Sequence, residues 1–193
     1  NVCRSFRNRQ DCLLFLRKML DFQNVIFTFV GKIQNGNLKN GDIMINKDLL
    51  KQVLASNQQD VENYDVVPRS LPSDEFPCHV FIGVRRAGKS FMLYQKIQQM
   101  LREGHKWEDM LYINFEDDRL TQFETADFEQ ILSAHAEMYG KRPMLFLDEV
   151  QNIEGWEKFA RRLADAKYSV WITGSNAKML SSEVMTTLGG RYL

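Results

Sequence analysis

Cys78-His79-Val80-Phe81-Ile82-Gly83-Val84-Arg85-Arg86-Ala87-Gly88-Lys89-Ser90 runs from an apolar segment into a glycine-bounded loop, and Phe91, Met92, Tyr94, Ile97 and Leu101 follow at helical spacing among Gln and Lys. Strand, loop, helix is the context that gives G-x-x-x-x-G-K-S its meaning. Gly83 and Gly88 let the backbone close around a phosphate chain, so that successive N–H groups face the anion. The start of the helix adds its partial positive charge. Gly83, Val84, Arg85, Arg86, Ala87, Gly88, Lys89, Ser90 and Phe91 are therefore the expected nucleotide-binding segment, a Walker A loop. Lys89 is expected to reach the β- and γ-phosphates of ATP, and the Ser90 hydroxyl to ligate Mg²⁺. Arg85 and Arg86 are expected to cover the anion or to face solvent, and Arg69 is a candidate for the base pocket. A glycine turn in front of an ordinary helix is the competing reading of the whole stretch.

Met144-Leu145-Phe146-Leu147-Asp148-Glu149 is an apolar strand ending in two carboxylates, the form of a Walker B element. At the end of a buried strand Asp148 would meet the phosphate loop and hold Mg²⁺, making Ser90 and Asp148 the expected metal pair. Glu149, one residue on, points differently and is the candidate for orienting or deprotonating an attacking water. Two acids that begin a turn or cap a helix form the alternative. A catalytic acid directly after Walker B points to the P-loop division with an extra strand between the phosphate-loop strand and the Walker B strand. Trp171-Ile172-Thr173-Gly174-Ser175-Asn176 fits that strand and its end, with Ser175 or Asn176 as the polar group that senses the γ-phosphate. Arg191, after Gly189-Gly190, is a candidate for stabilising transition-state charge in its own site or a neighbour's. A surface arginine in a glycine turn reads as well.

With 193 residues, 44% hydrophobic and 26% charged, the chain is long enough for one domain with a substantial core. Formal net charge is zero, so the overall balance does not argue for a nucleic-acid or anionic-membrane partner. Cys3, Cys12 and Cys78 are odd in number and lack ligand spacing, which argues against a disulfide framework or a zinc site and for a reducing cytoplasm. The run Val25 to Val30 is far shorter than the roughly 20 residues that cross a bilayer. No membrane span or signal peptide is expected.

Helix and strand signals alternate from Asn46 onward. Asn46 caps a helix with an apolar stripe at Leu49, Leu50, Val53 and Leu54; a linker carries Pro68, Pro72 and Pro77; strands are expected at Cys78–Ile82, Met110–Phe115, Met144–Leu147 and Ser169–Thr173. Helices are expected from the loop to about Glu103, from Thr125 or Asp127 to Gly140, and from Trp156 to about Ala166. The fold class is therefore α/β, a P-loop NTPase (ASCE/AAA-like) parallel sheet flanked by helices. The expected strand order is 5-1-4-3-2, with the chain ending before or within the fifth strand. The domain reading assigns 1–43 to an N-terminal extension, 44–77 to a helix and linker, and 78–193 to an ATPase core incomplete at its C-terminus. Met44 is the candidate natural start, which would leave 1–43 outside the native product; a genuine extension, with a helix over Asp11–Phe22 and a strand over Asn24–Lys32, is the alternative.

Val66-Val67-Pro68-Arg69, GVRRAGKS, Leu111-Tyr112-Ile113-Asn114-Phe115-Glu116-Asp117, LFLDEVQN, Gly155-Trp156-Glu157-Lys158-Phe159, and ITGSNAKMLSSE through GGRYL together resemble a prokaryotic AAA-like ATPase family related to archaeal-type ATPases. The resemblance runs from about Met44 to Leu193. It implies Walker A roles for Gly83, Gly88, Lys89 and Ser90, Walker B roles for Asp148 and Glu149, and a sensor near Ser175. It also implies a fifth strand, a small helical region and a C-terminal domain of unknown role beyond Leu193. The function expected is Mg-dependent ATP hydrolysis coupled to that further domain acting on a macromolecule, with DNA or protein as partner, a homo-oligomer as a candidate assembly and no membrane. A nucleotide-controlled protein-interaction switch with slow hydrolysis is the alternative.

Overall fold

The computed structural model describes residues 45–72 and 76–175, all within the unit Met44–Leu193. The expectations for 1–43, Asn176 and Arg191 lie outside the described residues. Asn46 accepts from the Asp48 N–H through Oδ1 at 2.8 Å and so opens helix α1, Lys47–Asn63. Strand β1, Cys78–Gly83, leads through the glycine-bounded loop into α2, Lys89–Arg102. Strand β2, Met110–Asn114, is followed by a 3-10 turn at Thr125–Asp127 and helix α3, Phe128–Tyr139. Gly140 ends α3 in the left-handed conformation, φ 68°, as glycine does at the close of many helices. Strand β3 is Met144–Asp148, α4 is Trp156–Asp165, and β4 is Val170–Ser175.

The sheet is parallel with order β1-β4-β3-β2, the described part of the expected order. Three strands run further than their sequence pattern suggested, and β2 stops one residue short, at Asn114. β1 includes Gly83, β3 includes Asp148, and β4 continues through Gly174 and Ser175, paired with Ile82 and Gly83. Ladder hydrogen bonding to a neighbour carries a strand past the end of its apolar run.

Alternation along the strands sorts the core into two layers. Leu111, Ile113, Leu145, Leu147, Val170 and Ile172 face a layer with Phe128 and Ile131 of α3 and Phe159 and Leu163 of α4. Met110, Tyr112, Phe146 and Trp171 face Leu93, Tyr94, Ile97 and Met100 of α2. Each such fully buried aliphatic side chain contributes about 1.5–3 kcal/mol. Helix α1 gives Leu50, Val53 and Leu54 to the first layer and Val61 to the second. It therefore runs past β2 and covers that edge of the sheet. Trp171, the largest fully buried side chain, packs among His79, Phe81 and Phe146; the three tryptophans are core or supporting residues, and His79 and His135 are buried. Among the described residues no helix is long and apolar enough to cross a membrane.

Glu137 of α3 joins α1 through Lys47 at 2.8 Å and Lys51 at 2.7 Å. Hydrogen bonds from Lys47 and then Lys51 hold its carboxyl at about 2, down from its ordinary 4.5. A depressed carboxylate contributes stability above its unfolded value and loses it as pH falls through the folded one. Replacing Glu137 with glutamine is expected to lower the melting temperature slightly at neutral pH, with the gap to the unsubstituted protein closing between pH 4.5 and about 2. The pair is exposed, so the gap should also shrink in high salt. A gap that persists at pH 2 would show that Glu137 acts by packing.

Candidate functional site

Parallel pairing with aligned C-terminal ends brings the functional segments together. Gly83 lies opposite Ser175, and Asn114 opposite Asp148. All strands point the same way, so the loop after β1, the acids at the end of β3 and the end of β4 share one edge, where ligands bind in open α/β sheets.

The loop achieves its turn with two left-handed residues, Arg86 at φ 64° and Gly88 at φ 82°. Glycine is favoured at the second position by that positive φ. A Cβ there would also come within 2.9 Å of Arg69 Nη2 and push the guanidinium aside. Arg69 is pinned by its backbone, whose N–H and C=O both pair with the Gln95 side-chain amide, at 2.9 and 2.7 Å. Its guanidinium donates to Ala87 O at 3.0 Å. Arg69 therefore lies on the phosphate loop itself. Arg85 projects outward and pairs with Glu116 at 2.6 Å, while Arg86 and Val84 are exposed. Phe91 is partly exposed on the first turn of α2, packed against Tyr64 and Tyr94.

Lys89 and Ser90 open α2 and point back to the sheet edge. Lys89 is 7% exposed; its Nζ lies 3.3 Å from Glu149 Oε1 and donates to Val84 O at 3.3 Å. Ser90 Oγ donates to Asp148 Oδ1 at 3.0 Å. Lys89 with Glu149, and Ser90 with Asp148, thus form two contacting pairs at this edge of the sheet.

Asp148 is fully buried. Besides Ser90 it accepts from Thr173 Oγ1 on Oδ1 and from Tyr112 OH on Oδ2 at 2.9 Å. Burial pushes its carboxyl above the ordinary aspartate range, opposed by the hydrogen bonds from Thr173, Ser90 and Tyr112. Tyr112 has a single hydroxyl proton, given to Asp148, so at the 3.1 Å contact between Tyr94 and Tyr112 the Tyr94 hydroxyl is the donor. Burial drives both phenols up, Tyr94 to about 12 and Tyr112 well above its ordinary value. They act here as neutral hydrogen-bonding groups.

Glu149 is a non-glycine residue at φ 51°, a conformation that costs about 1–2 kcal/mol and that clusters at functional sites. Its N–H is held by Thr173 Oγ1 at 2.9 Å. Thr173 thus serves both acids, donating to one side chain and accepting from the other's backbone. Gln151 Nε2 donates to Glu149 Oε2 at 2.7 Å.

The sequence reading passed over Thr173, Tyr112 and Gln151. It took β4 to end at Thr173 and looked past it for a sensor. Thr173 and Ser175 alternate onto the same face, and the side chain that meets Asp148 and Glu149 is Thr173. The available signal was a hydroxyl inside an otherwise apolar strand, a group that must find a partner once buried. Ser175 ends β4 half-buried beside Gly83.

Comparison with known proteins agrees with this architecture. A family model described as AAA domain matches residues 75–193. An uncharacterized protein of Methanocaldococcus jannaschii, MJ1544, is 36% identical over 153 residues, covering 78% of this chain and 33% of that protein. An uncharacterized protein of Haemophilus influenzae is 37% identical over 116 residues, covering 59% of this chain and 29% of its own length. The chain spans about a third of the length of these relatives. A four-stranded parallel sheet flanked by helices, with a glycine-bounded loop before α2 and a family model matching from residue 75 to the last, places this chain in the AAA-domain family, an α/β fold of the P-loop NTPase type.

Proposed function

We propose that this chain binds ATP with Mg²⁺ and hydrolyses it, as the motor module of a longer protein whose further domain acts on a macromolecule. The observation that carries the reading is the convergence of Lys89, Ser90, Asp148 and Glu149 in one buried cluster at the mouth of the phosphate loop. A lysine, a hydroxyl, a metal-type carboxylate and a base-type carboxylate are the side chains that phosphoanhydride hydrolysis requires.

Among the described residues no group of three or more His, Cys, Asp and Glu could hold a metal. Ser90 Oγ and Asp148 Oδ1, 3.0 Å apart, instead make a two-oxygen donor set. That suits Mg²⁺, which keeps most of its waters and takes substrate phosphate oxygens for the rest. Held by Ser90 and Asp148, such an ion would supply positive charge against the charge of the phosphates. Lys89 then exchanges its carboxylate partner for phosphate oxygens. Glu149 orients the water and takes its proton as water oxygen bonds to the γ-phosphorus and the bond to the ADP oxygen breaks. Asp148, gripped by three hydrogen bonds, stays in place throughout. The Arg69 guanidinium, on the loop beside Gly88, supports a further role against the nucleotide.

The test is phosphate release from ATP by the full-length protein and its Glu149→Gln variant, with and without duplex DNA. Turnover lost in the variant while ATP still binds is expected, and acceleration by DNA would support a motor. Turnover unchanged by Glu149→Gln would reject the hydrolase reading. Hydrolysis that is slow in both conditions and rises only with a protein partner would replace the motor by a nucleotide-controlled switch.

A further inference from the structure

Gln151 is buried, at 9% exposure, on the 3-10 turn Val150–Asn152 that follows Glu149. The positive φ of Glu149 curls the chain there, and the side chain two residues on returns to its carboxylate. Gln151 Nε2 donates to Glu149 Oε2 at 2.7 Å. A carboxylate oxygen only accepts, so the amide nitrogen must be the inward atom. Gln151 Oε1 is consequently left buried with no hydrogen-bond partner. An unsatisfied amide oxygen in the interior is unfavourable, and an apolar side chain of the same length would serve packing better. What the amide supplies is its bond to Glu149.

The other oxygen of Glu149 faces Lys89 Nζ at 3.3 Å. A triphosphate carries more negative charge than one carboxylate, so its arrival draws Lys89 toward the phosphates and away from Glu149. The neutral amide has no such competitor.

We propose that Gln151 is a positioning residue for hydrolysis: its amide holds the Glu149 carboxylate toward the attacking water once bound nucleotide has taken Lys89. The pair Lys89–Glu149 then marks the resting site and the pair Gln151–Glu149 persists through the reaction. This inference rests on the reading of Glu149 as the base of an ATP-hydrolysing site.

The experiment measures kcat, KM for Mg-ATP, the Kd of a fluorescent ATP analogue and the melting temperature for the full-length protein. It compares the unsubstituted protein with Gln151→Leu, Glu149→Gln and the double variant. Gln151→Leu is expected to lower kcat roughly 10- to 100-fold while Kd stays within about twofold and the melting temperature is equal or higher. In the Glu149→Gln background the same change is expected to cost nothing more, because Gln151 acts through that carboxylate. An unchanged kcat in Gln151→Leu, or the same fold loss in both backgrounds, overturns the proposal while the hydrolase reading stands. Absence of ATP turnover, or full turnover in Glu149→Gln, overturns the underlying reading and the proposal with it. Should leucine lower the melting temperature, Gln151→Met repeats the test with a side chain that keeps the length and lacks the donor.

Discussion

Lys89→Ala is expected to reduce kcat/KM for ATP by about a thousandfold or more and to weaken nucleotide binding with it. Removing one preorganised donor from a site of developing charge costs about two to three orders of magnitude in rate, and Lys89 additionally carries a full charge in a nearly dry position. The same change has a second consequence that shows without nucleotide. Glu149, 8% exposed, loses the ammonium 3.3 Å from its Oε1, and breaking a buried pair from one side typically costs about 3–5 kcal/mol. Gln151 keeps one hydrogen bond to the orphaned carboxylate, so the loss should fall at or below the low end. Lys89→Ala should therefore melt earlier than the unsubstituted protein. Adding Glu149→Gln, which removes the unpaired charge, should restore much of the melting temperature and none of the turnover. ATP affinity retained in Lys89→Ala would remove this lysine from the phosphate site.

Thr173→Val is the second large effect. The substitution keeps volume and shape, so any consequence comes from the hydroxyl. Two bonds vanish together: the donation to Asp148 and the acceptance from Glu149 N–H. A buried N–H left without a partner costs about 1–3 kcal/mol, here at a residue already strained into the left-handed region. The strain is tolerated only while neighbours hold it. We expect Glu149 to relax away from its position and kcat to drop about 100-fold, the penalty for a displacement on the order of 1 Å. Thr173→Ser should recover most of the rate, since it restores the hydroxyl. Equal rates for Thr173→Val and the unsubstituted protein would limit Thr173 to packing.

Three of the four expected strands started where the structure has them, at Cys78, Met110 and Met144, and the fourth is one residue later than read, at Val170. This succeeded because strands buried on both faces read as uninterrupted apolar runs, and the helices before and between them carry caps and stops such as Asn46 and Gly140. The clustering of Gly88, Lys89 and Ser90 was legible for a different reason. They belong to a turn and the first residues of one helix, so their spacing in the chain is their spacing in the fold. The Asp148-Glu149 pair is similar, two adjacent side chains at the end of one strand.

Thr173, Tyr112 and Gln151 had no such signature. Each is an ordinary polar group whose role arises from a partner distant along the chain or from a backbone turn that only the folded form shows. Thr173 meets Asp148 because β3 and β4 are neighbours in the sheet, and Tyr112 meets it from the opposite side because β2 is the next strand. Gln151 reaches Glu149 through a positive φ that no composition rule predicts for glutamate. Arg69 was read as a base-pocket candidate, and the folded form places it on the loop because Gln95, a full helix turn and more inside α2, clamps its backbone.

The sequence by itself determined the class of fold and the order of its elements, and it singled out Lys89, Ser90, Asp148 and Glu149, because apolar periodicity, caps and glycine spacing are local properties. Only the tertiary structure decided which groups hold those four in place. Parallel strand order sets which side chains stand beside Asp148, burial sets which of them must hydrogen-bond, and the left-handed turn at Glu149 sets which amide answers its carboxylate.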